Sequence, residues 1–152
     1  MSNPMSIAIG SDHAGFSMKG PIVEFLRKLN YQVEDCGSYD PNPVDFPDIA
    51  KDVCARVLSG KAQRGIMVCG TGVGASIAAN KIPGIRASVC HDIHSAHQCV
   101  EHDDVNIACV GAWIVGQKVA QECLQSFLEA TFSTSEECRR RVAKLAEMDR
   151  HD

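Results

Sequence analysis

The sequence predicts an α/β fold in three layers, a five-stranded parallel sheet with helices on both faces. Three observations predict it. Five short β-like runs alternate with helical patterns along the chain, and such strands pair in parallel through right-handed crossovers. Several runs end at or near a glycine (Gly10, Gly37, Gly70, Gly111), as strand-to-helix turns often do. The 152 residues hold no repeat, low-complexity tract or linker, which suits one domain over residues 1–152.

The strands are expected at Met5–Ile9, Tyr31–Cys36, Gly65–Cys69, Arg86–Cys90 and Asn106–Val110. Between them the helical period is readable. Ile22, Leu26 and Leu29 keep an i, i+4, i+7 spacing, although Gly20-Pro21 leaves the start of that helix open. Ile49, Val53 and Val57 repeat the spacing after Asp48. Gly72 to Lys81 is small and apolar, suited to packing under a sheet. His94–Glu101 and Val119–Phe132 follow the fourth and fifth strands. A last helix is expected over about 134–150, opened by a capping box in which Thr134 is the cap and Glu137 lies three residues on.

A 45% hydrophobic, 22% charged composition can bury a core. The formal net charge of −4 argues against a nucleic-acid surface or a polybasic membrane anchor. No apolar run approaches the roughly 18 residues of a membrane span, and the first residues do not read as a secretory signal. A soluble cytoplasmic protein is expected. The eight cysteines contain no C-x-x-C pair, and most sit among apolar residues, as Cys54, Cys109 and Cys123 do. They read as reduced, buried hydrophobes rather than disulfides.

In open parallel sheets ligands bind beyond the carboxyl ends of the strands. That rule collects Asp12 and His13, Cys69 to Ala75, His91 to His102, and Ala112-Trp113 on one expected rim. The sharpest motif is Cys69-Gly70-Thr71-Gly72-Val73-Gly74-Ala75-Ser76. Alternate glycines at a strand end that opens a helix free backbone N–H groups to face an anion. A dinucleotide loop is the rival, but the motif follows strand three, and its third glycine comes one residue early for G-x-G-x-x-G. A tight turn that merely packs is the plain alternative.

Cys69 gains meaning from that turn. A thiol at a helix N-terminus feels the positive end of the dipole, which favours thiolate. Beside N–H groups that hold an oxyanion, it could take a proton from a carbon next to a carbonyl. Asp12-His13 could orient a sugar hydroxyl or bind a phosphate, or Asp12 could simply cap the next helix. His91, His94, His97 and His102 cluster, and His94 and His97 share a helical face. No familiar metal spacing accompanies them, so surface or dimer-contact histidines are expected, with no metal and no cofactor. His102, followed by Asp103-Asp104, can act as an acid near neutrality. Of Arg139, Arg140, Arg141 and Lys144, at most two can converge on one ligand.

Four segments carry a resemblance: Gly10-Ser-Asp-His-Ala-Gly15, Val44-Asp-Phe-Pro-Asp48, Cys69 to Lys81, and His102-Asp-Asp-Val-Asn106. In order and over nearly the whole chain they resemble the ribose-5-phosphate isomerase B family, which includes the galactose-6-phosphate isomerase subunits. The resemblance implies a Rossmann-like fold in homodimers or homotetramers with shared active sites. It implies interconversion of aldose and ketose phosphates without a metal. Cys69 would be the base between C1 and C2. Thr71 and His102 would assist ring opening and proton transfer to oxygen, with Asp12 positioning them. The backbone of Gly70, Gly72, Val73 and Gly74 would hold the enediolate. His13, Asp103 and Arg141 would approach the substrate, with Arg141 coming from a neighbouring subunit through its C-terminal helix.

The chain departs from that family at several positions. Val100, Trp113 and Glu137 stand where the family usually has arginine. Cys138 replaces its usual histidine, Asp103 an asparagine and Phe46 a tyrosine. Fewer cations and two added carboxylates make a site less attractive to a dianionic phosphate. The C-terminal sequence is closer to the galactose-6-phosphate isomerase B-type subunit. Ribose 5-phosphate is the expected substrate by resemblance. The alternatives are another sugar or sugar phosphate, or a subunit that is inactive without a paralogous partner.

Overall fold

The computed structural model describes residues 4–149. Five parallel strands and six helices follow one another as β1 (Ser6–Ser11), α1 (Phe16–Lys28), β2 (Gln32–Asp35), α2 (Phe46–Leu58), β3 (Arg64–Cys69), α3 (Val73–Asn80), β4 (Ala87–Val89), α4 (Ile93–Asp103), β5 (Ile107–Gly111), α5 (Gln117–Glu129) and α6 (Glu136–Met148). The strand order is β2-β1-β3-β5-β4, with every pairing parallel. The chain leaves β1 toward β2 on one side and returns to β3 on the other. The crevice where ligands bind in such sheets therefore opens between the ends of β1 and β3.

The central strands are apolar throughout because both of their faces are covered. Along β3, Ile66 and Val68 point into a core shared with α1, α4 and α5, beside Ile22, Leu26, Val100, Leu124 and Phe127. Met67 and Cys69 point the other way, into the layer built by α2 and α3 with Ile49, Val53, Ala75, Ala79 and Cys109. The period of two thus assigns Cys69 to the α2–α3 face. Burying side chains of this size contributes roughly 1.5–3 kcal/mol each.

Several expected boundaries move. α1 begins at Phe16 and runs through Pro21, which lies in its second turn. α5 stops at Glu129 rather than Phe132; the Arg64 guanidinium takes the carbonyls of Phe127 and Ala130 at 2.5 and 2.6 Å, and Ala130 is extended. The cap of the last helix is Ser135, not Thr134, and its hydroxyl accepts from the Cys138 N–H at 3.2 Å. Ser133 is tied by its N–H to Glu101 O, and its hydroxyl accepts from the Ser135 N–H. These bonds carry the chain one residue further before the helix starts. Glu137 then falls at the second helical position and the reciprocal half of the capping box is lost, although two carboxylates still sit favourably in the first turn.

α6 packs on α4 of its own chain, and Asp149 Oδ2 accepts from the Gly84 N–H at 2.9 Å, just before β4. Among its described residues only Cys138 is buried. No described helix is long and apolar enough to cross a membrane. All eight cysteines are buried. Burial pushes the Cys36 and Cys54 thiols up to about 11 and raises that of Cys109 as well.

Candidate active site

The end of β3 carries the candidate reactive group, Cys69. Cys69 is 5% exposed, and its Sγ accepts the Gly72 N–H at 3.0 Å. That bond requires the chain to reverse within three residues, which it does because Gly72 takes φ +81°, a left-handed conformation costly for a residue with a Cβ. α3 starts immediately after, with Thr71 Oγ1 accepting the Val73 N–H at 3.2 Å. In the first turn of the helix, Gly74 and Ala75 have no intrahelical carbonyl for their N–H groups. The arrangement is a sulfur next to unsatisfied amides at the positive end of a helix, suited to a developing oxyanion.

The β1 turn lies alongside. Buried Asp12 accepts the Gly15 N–H through Oδ1 at 3.0 Å, while its own N–H reaches Val68 O at 3.3 Å. Asp12 therefore closes the turn before α1 rather than capping the helix, whose N-cap is Gly15 without a side-chain cap bond, in a place next to Cys69. His13 is exposed, and its Nδ1 accepts the Val44 N–H at 3.3 Å, joining the loop before α2 to the same rim. Two aromatic rings flank the glycine loop. The Trp113 indole lies on Gly70, close enough that a Cβ there would meet it at 2.7 Å, and the Phe46 ring lies on Gly74 in the same way at 2.8 Å. Trp113 remains 74% exposed.

Cys69, Gly70, Thr71, Gly72, Val73, Gly74, Asp12 and His13 are thus gathered at one rim. His102, Asp103 and Arg141 are not. α4 leaves the carboxyl end of β4 and must reach the amino end of β5, so its eleven residues, about 16 Å of helix, carry His102 and Asp103 to the opposite edge of the sheet. Arg86, just before β4, confirms the placement by binding Asp104 O at 2.8 Å and Oδ2 at 3.0 Å. The expectation of base and acid on one rim of one chain is corrected here: a helix's direction follows from the strand it must join. His102 is exposed, with Nδ1 3.2 Å from Gln98 Nε2 and Nε2 3.5 Å from Glu101. α6 runs along that same edge, so Arg141, also exposed, shares an end of the molecule with His102.

The histidine cluster disperses. His97 pairs with Glu101 at 2.7 Å, and His91 turns inward to accept the Gly111 N–H. Sequence reasoning did not single out His91, because nothing local marks which of four nearby histidines faces the interior. It placed Trp113 on the rim and as a lost arginine, but without the glycine that receives its ring.

A parallel sheet with a glycine turn at its switch point, a cysteine on that turn and an imidazole elsewhere on the chain defines an α/β enzyme built to handle a small anionic substrate. The chain belongs to the ribose/galactose isomerase family, whose model matches residues 7–145. It is 43% identical to the solved structure of Clostridium thermocellum ribose-5-phosphate isomerase B, with a TM-score of 0.92 over 95% of this chain and 97% of that one. It is 40% identical over 126 residues to ribose-5-phosphate isomerase B of Escherichia coli, covering 83% of this chain and 85% of the relative. It is also 40% identical over 131 residues to D-erythrulose-4-phosphate isomerase of Pectobacterium atrosepticum, covering 84% and 85%. The enzyme is a sugar-phosphate isomerase of the aldose–ketose type.

Proposed function

We propose that the protein interconverts an aldose phosphate and its ketose, with ribose 5-phosphate to ribulose 5-phosphate as the leading substrate pair, through a cis-enediolate and with Cys69 as the base. The observation that carries the reading is Cys69 Sγ at the rim, 3.0 Å from the Gly72 amide and next to the open first turn of α3. Cys69 takes the proton from C2 of the open-chain aldose. The electron pair moves to the carbonyl, and the enediolate oxygen is held by the loop amides. The proton then returns at C1, while a proton passes between the two oxygens. Thr71 and His102 assist ring opening and that oxygen transfer, with Asp12 holding the β1 turn in place; His13, Asp103 and Arg141 approach the substrate.

Because His102 and Arg141 lie at the far edge of the sheet, we read the site as shared between two copies. One copy offers the Cys69 rim, and the other offers the α4–α6 edge. Exposed Val73, Ile77, Ile93, Trp113 and Ile114 around the rim support burial against a second copy. Homodimers, alone or paired as tetramers, satisfy this geometry. A cytoplasmic setting fits a substrate whose phosphate keeps it from crossing a bilayer.

A second reading concerns the sugar. Trp113 and Glu137 leave the site short of cations, and Trp113 puts an indole on the anion loop; Val100 lies in the α1–α4–α5 core and takes no part. This favours a sugar other than ribose 5-phosphate, such as the four-carbon ketose phosphate named for the Pectobacterium relative or galactose 6-phosphate. The same changes would also suit a subunit that needs a paralogous partner. Proton NMR in D2O with ribose 5-phosphate, erythrulose 4-phosphate, allose 6-phosphate, galactose 6-phosphate and the free sugars tests all of these. Exchange with one member, lost in Cys69→Ala by roughly 100-fold or more, establishes the base and names the sugar. Full exchange in Cys69→Ala would refute the mechanism. A folded oligomer inert to the whole panel would favour the partner-dependent subunit.

A further inference from the structure

β5 ends against the glycine loop, and the side chain that fixes its end comes from a different turn. The Gly111 N–H donates to His91 Nε2 at 2.8 Å, from the residue pair that links β4 to the cap of α4. A backbone amide can only donate, so Nε2 is the unprotonated ring nitrogen and the hydrogen of the neutral ring is on Nδ1. Burial pushes the His91 pKa below its ordinary 6.5, with Asp92 opposing, in keeping with an acceptor.

The next two amides reach the loop itself. The Ala112 N–H donates to Cys69 O at 2.8 Å, and the Trp113 N–H to Gly70 O at 2.9 Å. Gly111 has no slack between these bonds: a Cβ on it would lie 2.6 Å from the Thr71 backbone and 2.7 Å from Gly70 O. Any displacement of Gly111 therefore passes by direct contact to the backbone of Cys69, Gly70 and Thr71. Misplacement of a reacting group by about 1 Å can cost on the order of 100-fold in rate.

We propose that His91 is a positioning residue of the isomerase: by accepting the Gly111 amide it sets the end of β5 and, through Ala112 and Trp113, the placing of Cys69 and the anion loop. The inference rests on the reading of Cys69 as the base. His91 itself exchanges no proton with the sugar. Its acceptor is what matters, which separates this role from simple packing.

The test compares three variants. Gln presents an acceptor near the place of Nε2, Asn only near Nδ1, and Phe fills the space with no acceptor. His91→Gln should keep kcat within about threefold of the parent, while His91→Asn and His91→Phe lose about 10- to 100-fold in kcat at nearly unchanged KM. A readout without substrate runs beside it: the rate of Cys69 alkylation by iodoacetamide, located by peptide mass spectrometry. Cys69 is almost fully buried, so a loosened loop exposes it. Alkylation should rise several-fold in His91→Asn and His91→Phe and stay at the parent rate in His91→Gln. Parent kcat and parent alkylation in His91→Asn, or equal impairment of His91→Gln and His91→Asn, would overturn the proposal. If His91→Phe does not fold, the Gln–Asn contrast decides. If the parent turns over no sugar phosphate, that outcome bears on the proposed function alone, and the alkylation rates still decide whether His91 holds the loop.

Discussion

At the carboxyl edge of the sheet, the chemistry-bearing groups are held by the chain itself. Cys69 accepts from Gly72, Asp12 from Gly15 and His91 from Gly111. At the amino edge, His102, Asp103 and Arg141 stand exposed on helix surfaces. The first edge is preorganised and the second is presented outward. The contrast teaches that a strand end can fix a cysteine and a turn of open amides through backbone bonds. A helix end offers its side chains only to whatever docks there. In the proposed shared site, isologous pairing of two copies would bring each edge against the other's, because a residue that contacts its partner on one side is contacted in return on the other.

The largest effect expected is the one that would break this comparison outright. Cys69→Ala and His102→Ala, each inactive alone, should regain about a quarter of parent activity when unfolded together and refolded as mixed dimers. Half of the dimers are then mixed, and each mixed dimer holds one intact site. No recovery would place base and acid on the same chain and refute the shared arrangement.

A smaller change sharpens the account of the rim. Trp113→Arg puts a cation over Gly70, where the indole now lies. KM for the sugar phosphate should fall several-fold with kcat little altered, the scale of one charge-assisted hydrogen bond. An unchanged KM would place Trp113 outside the phosphate's reach.

Next comes Gly111→Ala, which forces a Cβ against the Thr71 backbone. Chemical denaturation should show a loss of about 1–3 kcal/mol, whereas Gly20→Ala, inside α1 with open space around it, should lose none. Equal stability of the two variants would contradict the tight contact between β5 and the loop.

The smallest effect is a pH dependence at the same place. Burial depresses the His91 pKa in the fold, so the unfolded chain binds its proton first as pH falls. The contribution is full above the ordinary value of 6.5 and is lost as pH falls through the lower folded value. Denaturation midpoints from pH 8 to 5 should therefore decline in the parent more than in His91→Gln, which has no proton to bind. Parallel profiles would show that His91 is not the group responsible.

The fold was legible because its signals are local. Gly65-Ile66-Met67-Val68-Cys69 is apolar on both faces, as a central strand must be, and Ile49, Val53 and Val57 repeat at helical spacing. Boundaries were less legible where distant groups decide them. Arg64 ends α5 from 63 residues away in sequence, and a bond from Ser133 to Glu101 moves the α6 cap from Thr134 to Ser135. The glycine loop could be recognised because alternate glycines at a strand end state their backbone need directly. The rings over that loop could not, since Trp113 and Phe46 lie far from it in the chain.

By itself, then, the sequence determined the βα alternation, the parallel sheet, the family and the glycine loop that follows Cys69. Each of these is written in residue type at short spacing, through periodicity, turn chemistry and motif. Only the tertiary structure decided that His102 and Arg141 face away from Cys69 and that His91 alone among the clustered histidines points at the loop. Direction along a helix and contact across a sheet depend on how crossovers close and which backbone groups meet. Those are relations between segments, and no single segment encodes them.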